Sequence, residues 1–502
     1  MQLPGFSIIW AALFLSLTVA TASVIRSLDD APVLHFTLLR RGGKFAPTEQ
    51  TCDYVNMTYL AQELEKTESR FNLTQREVKG NKLVRKAKSN GSGSEENGLT
   101  MGEETTDGIW YARIKIGNPP QEIEMDLNML VSDFYIVTTT SRRGSKYDDF
   151  FSQSVIKSHK HPYPTCALNS ETFTLPTVNT SVQLPFAQCR PSKFGLRTLW
   201  ASGSTLGLAP SETLSQTGSS LLKILLDREI IQRPIFSLTL INGQEGILSI
   251  GGTAAKAVEM IVSQTETALN RLGGNQTIKP LVAQKGKGLP PLIKRGRPGK
   301  RIITRQADWE EGWAWNGVQG AEGWWQLLMR GLWVDGSRVL RNQAVVIDIN
   351  SPFVLAPPLA AKAFYASISG SRPLPPPFSN FYVFPCLNPP TLHFEFGGNM
   401  FPFMRGGRGA EWSGIPGGKF SLGRLEPGSG YCVGAVVETR MGIKEERDEV
   451  VQNDRKGSRS IGGRGGLGGN GMRDVWVVGE GFFRGVGGVF DFKDHRVGFR
   501  AY

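Results

Sequence analysis

Histidine is scarce in this 502-residue chain: His35, His159, His161, His393 and His495 are all there are. None sits in a nucleophile-elbow motif or at zinc-ligand spacing, so serine–histidine catalysis and zinc-assisted hydrolysis lack their residues. Cysteine is equally sparse, with Cys52, Cys166, Cys189, Cys386 and Cys432, and no Cys/His cluster of the zinc-binding type. Glycine-rich runs such as GGRGGLGG are not followed by Lys-Ser/Thr, which excludes a phosphate-cradling loop. Beyond the N-terminus no stretch is long and apolar enough to span a bilayer. No metal and no cofactor is expected.

What is present points to an all-β protein. The length exceeds what one core holds and implies two or more domains. Hydrophobic residues make up 40%, enough for globular cores, and 59 Gly with 29 Pro imply many turns. The net charge is +12, part of it local. Lys285, Lys287, Lys294, Arg295, Arg297, Lys300, Arg301 and Arg305 form a run without an acid. Such a run suits an anionic membrane, an acidic polymer or nucleic acid. No stacking-aromatic motif accompanies it, so a solvated insertion is expected and no specific nucleic-acid partner.

The chain opens MQLPGFSIIWAALFLSLTVATAS, with an apolar core from Phe6 to Val19 and a small-residue cleavage site at Ala20-Thr21-Ala22. Residues 1–22 read as a signal peptide, too short in its core for a transmembrane anchor. A secreted, extracellular, monomeric protein is expected. Sequons at Asn56, Asn72, Asn90, Asn179 and Asn275 fit that compartment. Residues 23–100 are polar and charged, with KLVRKAK at Lys82–Lys88 followed by the linker SNGSGSEENG. They read as a pro-segment and linker, or else as an ordinary N-terminal arm. If they are removed, Cys52 goes with them. The remaining four cysteines could pair as sequence neighbours, Cys166 with Cys189 and Cys386 with Cys432, though sequence alone leaves the pairing open.

Strand-like runs follow: IWYARIKIG, EIEMDLNMLVSDFYIV, PIFSLTLI, GILSIGG, WWQLLMRGLWVDG, AVVIDI, TLHFEFGG, YCVGAVVE, VWVVG and GGVFDF. SSLLKILLDREII has the helical period. Residues 282–322 and 455–474 read as inserts without a clear period. Trp309, Trp313, Trp315, Trp324 and Trp325 read as packing residues rather than a sugar-stacking face. One pattern recurs. Each half has a strand with a central polar residue, and later a short apolar run closed on glycine: TLGLA at Thr205–Ala209 and VVGEG at Val477–Gly481. A duplicated plan of two lobes is expected, 101–240 and 241–502.

From about residue 109 onward the chain resembles the pepsin-like aspartic peptidases. YARIKIGNPPQ is similar to the family's opening strand and turn. GLAPSETLSQTGSSLLKILLDREIIQRPIFSLTL resembles the end of its first lobe. GILSIGG, VVIDINSPFVLAPP and VVGEGFFRGVGGVFDFKDHRVGFRAY follow in the family's order. The resemblance implies a bilobal fold of two antiparallel β-barrel-like lobes with a central cleft. It also implies a disulfide between Cys386 and Cys432, and a cleft that takes extended polypeptide.

The family's chemistry uses two facing Asp-Thr-Gly turns whose carboxylates share a proton and hold the attacking water. Counting forward from Gln121, and back from Ser132-Asp133, puts the first catalytic position on Asn128. Asn128-Met129-Leu130 and Asp348-Ile349-Asn350 thus stand where the resemblance expects Asp-Thr-Gly. Asn128 and Asp126 share a strand face, so Asp126 is the available substitute if the strand slips by two residues. The family's flap tyrosine has no clear counterpart; Tyr147 and Tyr163 are the candidates. Three readings follow. The chain is an aspartic-peptidase-like protein with reduced or lost activity, an active endopeptidase using Asp348 with Asp126, or a non-catalytic binder of polypeptide or of a surface.

Overall fold

The computed structural model describes residues 32–40, 54–83, 108–137, 147–149, 151–158, 166–175, 180–189, 204–210, 220–240, 245–254, 312–319, 324–403, 420–439, 441 and 474–501. The signal peptide, Cys52, the basic run 285–305, residues 455–473 and the sequons at Asn90, Asn179 and Asn275 lie outside them, as does the side chain of Asn72.

The first half begins with β1 (Leu34–Arg40) and the helix α1 (Met57–Leu83). The strands β2 (Trp110–Ile116), β3 (Gln121–Asn128), β4 (Phe134–Val137), β5 (Cys166–Leu175), β6 (Thr180–Cys189) and β7 (Thr205–Gly207) follow. The short helix α2 (Leu221–Asp227) leads to the hairpin β8 (Ile235–Leu240) and β9 (Glu245–Ile250). The second half contains β10 (Ala314–Gly317), β11 (Gln326–Val334), β12 (Ser337–Ile347) and β13 (Val354–Ala356), then the helix α3 (Pro358–Ala366). Next come β14 (Arg372–Pro373), β15 (Tyr382–Pro385), β16 (Leu392–Phe396), β17 (Asn399–Pro402), β18 (Ser421–Arg424), β19 (Tyr431–Gly434) and β20 (Val436–Glu438). The chain closes with β21 (Val475–Val478), the one-turn helix α4 (Glu480–Phe483), β22 (Val486–Asp491) and β23 (Arg496–Ala501).

The fold is all-β, bilobal and pepsin-like. Twelve strands form one sheet in the order β10-β23-β22-β8-β9-β1-β2-β3-β7-β4-β6-β5. A second sheet runs β17-β16-β11-β12-β21-β13-β20, and a third β14-β15-β19-β18. Local sequence accounts for much of this. In β5 buried and partly exposed residues alternate over its second half, as a half-covered strand requires. β8, by contrast, is apolar or hydroxylated throughout and buried along its whole length. It lies between β9 and β22, and Phe236 from it stacks on Phe490 with ring centroids 4.5 Å apart. Trp325 closes that cluster from the second half, edge-on to Phe490 at 5.1 Å.

Two features depart from the sequence reading. The helical pattern SSLLKILLDREII yields only two turns, because Glu229 adopts a left-handed φ of 55° and ends the helix. The stretch Ala314–Gly317, within an expected insert, forms β10 and extends the large sheet by pairing with β23. Trp315 lies there under the Arg496 guanidinium, 4.3 Å from its ring centroid. Both disulfides join sequence neighbours: Cys166–Cys189 ties β5 to β6, and Cys386–Cys432 bridges 46 residues. No helix among the described residues is long and apolar enough to cross a membrane.

Candidate functional site

The two halves build the same turn. β3 ends on Asn128, whose Oδ1 accepts the Leu130 N–H at 2.9 Å. β12 leads into Asp348, whose Oδ1 accepts the Asn350 N–H at 3.2 Å. Each turn is covered by a short strand that ends in glycine, as β7 does at Gly207, or is followed by one, as β21 is by Gly479. Leu208 N donates to Asn128 O at 2.7 Å, and Asp348 N donates to Val478 O at 3.1 Å. The approach is so close that a Cβ on Gly207 would lie 2.4 Å from Asp133 N, and one on Gly479 2.4 Å from Asp348 O. Glycine is therefore obligatory at the end of TLG and VVG.

The turns touch across the lobes. Asn350 donates from Nδ2 to Leu127 O at 2.7 Å, and its Oδ1 accepts the Trp110 N–H at 2.9 Å. Trp324 Nε1 donates to Leu130 O at 3.2 Å, and Trp325 Nε1 to Leu208 O at 2.6 Å. Met129 and Ile349 occupy the positions where the family resemblance expects hydroxyls, and both are fully buried. Apolar side chains cannot brace the turns by hydrogen bonds. Asn350 and the two indoles do so instead.

Asn128 and Asp348 are both buried, at 0% and 1% exposure. The Asn128 Nδ2 finds no hydrogen-bond partner among the described residues. Asp348 faces a cation that the sequence reading did not single out. Arg70, on α1, holds Nη2 2.9 Å from Asp348 Oδ2 and donates to Asn350 O at 3.0 Å. The carboxylate contact is a close ion pair whose angle falls short of a hydrogen bond. Phe71, the next residue, packs edge-on against Trp324 at 5.8 Å. Arg70 was hidden because 278 positions separate it from Asp348 and the segment around it reads only as polar and charged.

Asp126 lies two residues back inside the ladder, fully buried, opposite Tyr111 on β2 and Thr205 on β7. Its backbone N–H is spent on Ser204 O at 3.0 Å. The turn itself is occupied by Asn128. Tyr147 is a core residue. It is 1% exposed, packs edge-on against Phe186 at 5.8 Å, and donates its hydroxyl to Glu171. Burial pushes the phenol pKa well above its ordinary value, with the Glu171 hydrogen bond acting in the same sense. Tyr163 lies outside the described residues.

The charges around α1 form a second layer. Glu63 is bonded to Lys66 at 2.7 Å, and burial raises its carboxyl pKa despite Lys66, Arg40 and Arg70 nearby. Arg40 on β1 reaches Glu480 on α4 at 3.0 Å, and Arg484 also binds Glu480. Among the described residues no group of His, Cys, Asp and Glu is arranged to hold a metal.

No family model matches the chain. It is 27% identical over 181 residues to an aspartic protease of Phaffia rhodozyma, a match covering 35% of this chain and 34% of that protein. The matched part thus spans about a third of the length of this curated relative. In sequence, over that stretch, the chain is aspartic-protease-like, and its two lobes meet in a pepsin-like fold.

Proposed function

We propose that the protein is a secreted, glycosylated, monomeric aspartic-peptidase-like protein that has lost efficient endopeptidase activity. The observation that carries this is the pair of facing turns, with an amide at 128 and a single carboxylate at 348 committed to Arg70. Peptide hydrolysis by a carboxylate pair needs one ionised group to take the water's proton and one protonated group to donate to the developing oxyanion. An amide accepts no proton at working pH. Loss of a general base alone costs about 10²–10⁴-fold in rate. The Arg70 guanidinium, 2.9 Å from Asp348 Oδ2, also competes for that carboxylate oxygen.

A cleft between the lobes would hold an extended polypeptide by main-chain hydrogen bonds, without turnover. The disulfides agree with an oxidising compartment, and Asn56 is an exposed sequon whose Oδ1 caps α1 by accepting the Tyr59 N–H at 3.1 Å. The test is digestion of a denatured protein at acid pH, with and without a statine-type inhibitor. No inhibitor-sensitive cleavage is expected. Inhibitor-sensitive cleavage by correctly folded protein overturns the reading and favours Asp348 working with Asp126.

A further inference from the structure

We propose that residues 151–158 of the first lobe form a docking loop for an anionic lipid surface, with Phe151 and Ile156 entering the headgroup layer. The inference does not depend on whether the centre turns over substrate.

The loop has its polarity reversed. Ser152 is buried, and Ser154 donates its hydroxyl to the fully buried Glu171. Phe151 and Ile156, in contrast, are 73% and 60% exposed. Six large apolar side chains are exposed among the described residues, and two of them stand in this one stretch. A slack loop could fold such side chains away from water, but this one is held. Gln153 N donates to Asn118 O at 2.8 Å, and Ile156 and Ser170 exchange both backbone bonds at 2.8 and 2.9 Å. Gln183 Nε2 donates to Ser154 O at 3.2 Å, and Ser158 N to Asn169 Oδ1 at 3.0 Å. The loop is therefore ordered before it meets a partner, which lowers the entropy cost of binding.

The surroundings select the partner. Residues bridged across strands share a face, so Ile156 lies on the face of β5 that carries Ser170, Thr172 and Thr174. On β6 that face continues with Pro185, Gln183 and Ser181. None of these is acidic, and the one acid of β5, Glu171, is turned inward. Two lysines stand nearby. Lys115 is exposed opposite Thr174, and Lys157, 58% exposed, follows Ile156 and reaches Asp149 at 2.7 Å. The chain as a whole carries a net charge of +12, a field that draws it toward an anionic bilayer.

A protein partner fits less well. A phenylalanine offers about 150–250 Å², so two such side chains fall well below the roughly 800 Å² per partner of a stable interface. A lipid surface asks for less, since shallow burial of apolar groups together with electrostatic attraction gives reversible binding.

The experiment sediments the full chain with vesicles of phosphatidylcholine, with and without about one third phosphatidylserine. Binding is expected to the anionic vesicles and is expected to weaken as salt is raised. Phe151→Ser and Ile156→Ser should each lower the affinity about tenfold at an unchanged melting temperature. Leu387→Ser, at the 91% exposed Leu387 of the second lobe, should leave binding as it is. Absence of binding by the parent overturns the proposal. So does equal binding by the loop variants, which places the contact on another surface, or an equal loss in Leu387→Ser. A dimer in gel filtration that Phe151→Ser abolishes, without vesicle binding, assigns the loop to a second copy of the chain and overturns it as well. Should Ile156→Ser lower the melting temperature, Phe151→Ser alone decides.

Discussion

Asn350 donates its side-chain amide to the carbonyl of Leu127 across the lobe boundary at 2.7 Å, at a position where the family resemblance expects glycine. The same side chain also accepts from the Trp110 backbone, so one residue ties both β2 and β3 to the second lobe. The bulk at this position therefore replaces one way of joining the turns with another.

Asn350→Gly removes both bonds and leaves a buried carbonyl and a buried N–H without their partner. The expected cost is about 2–4 kcal/mol. Urea unfolding of the variant should show a lower midpoint. An unchanged midpoint would mean that the bonds contribute nothing net.

Asn128→Asp places a carboxyl in a fully buried site. Burial raises the pKa of the new group, so its ionised form is destabilising. The variant should be about 3 kcal/mol less stable than the parent at pH 7 and close to it at pH 4, read from melting curves. Peptidase activity is not expected to return, because Arg70 still covers Asp348.

Glu63 gives the docking of α1 its own pH dependence. Its pKa is raised above the ordinary 4.5, chiefly by burial. Protonation therefore favours the folded state. The associated stability is full below the ordinary value and is lost as the pH rises through the raised one. Glu63→Gln should raise the melting temperature at pH 7 and have little effect below pH 4. A lower melting temperature at pH 7 would show that the Lys66 bond outweighs the burial.

Glu171 acts in the opposite sense in the first lobe. Burial pushes its pKa up, but hydrogen bonds from Ser152, Ser154 and Tyr147 outweigh that and hold the carboxyl below its ordinary value. Its stability is present above the ordinary value and lost as the pH falls through the lowered one. Glu171→Gln should flatten the acid limb of the stability curve, with unfolding followed by Tyr and Trp fluorescence.

The Cys386–Cys432 bridge closes a loop of 46 residues, for which chain entropy predicts about 4 kcal/mol. The Cys386→Ala/Cys432→Ala double variant should lose stability on that scale in calorimetry. The first-lobe bridge spans 23 residues between strands already paired in register, so its loss should cost less.

How much of this was legible depended on whether the signal was local. PIFSLTLI and GILSIGG announced the β8–β9 hairpin because a short turn joins two apolar runs. TLGLA and VVGEG announced the two covering strands, because a backbone approach of this kind admits only glycine and the same demand arises in each lobe. The turns at 128 and 348 were located through the family resemblance of the blocks around them, YARIKIGNPPQ and VVIDINSPFVLAPP. Arg70 was not, since its partners lie some 280 positions away and nothing in a polar helix marks which cation is inward. β10 escaped because four residues of mixed Trp, Asn and Gly carry no period; its strand character comes from the β23 edge it meets. Tyr147 was a flap candidate only as long as burial was unknown.

The order of the large sheet has a consequence for biosynthesis. β8 emerges from the ribosome early, yet its neighbour β22 is made about 250 residues later. At ordinary elongation rates this wait is on the order of ten to fifty seconds. Throughout it, one side of a strand that is buried along its whole length has no ladder to join. A nascent chain of this topology is thus a natural client for chaperones that shield strand edges, until its last thirty residues arrive.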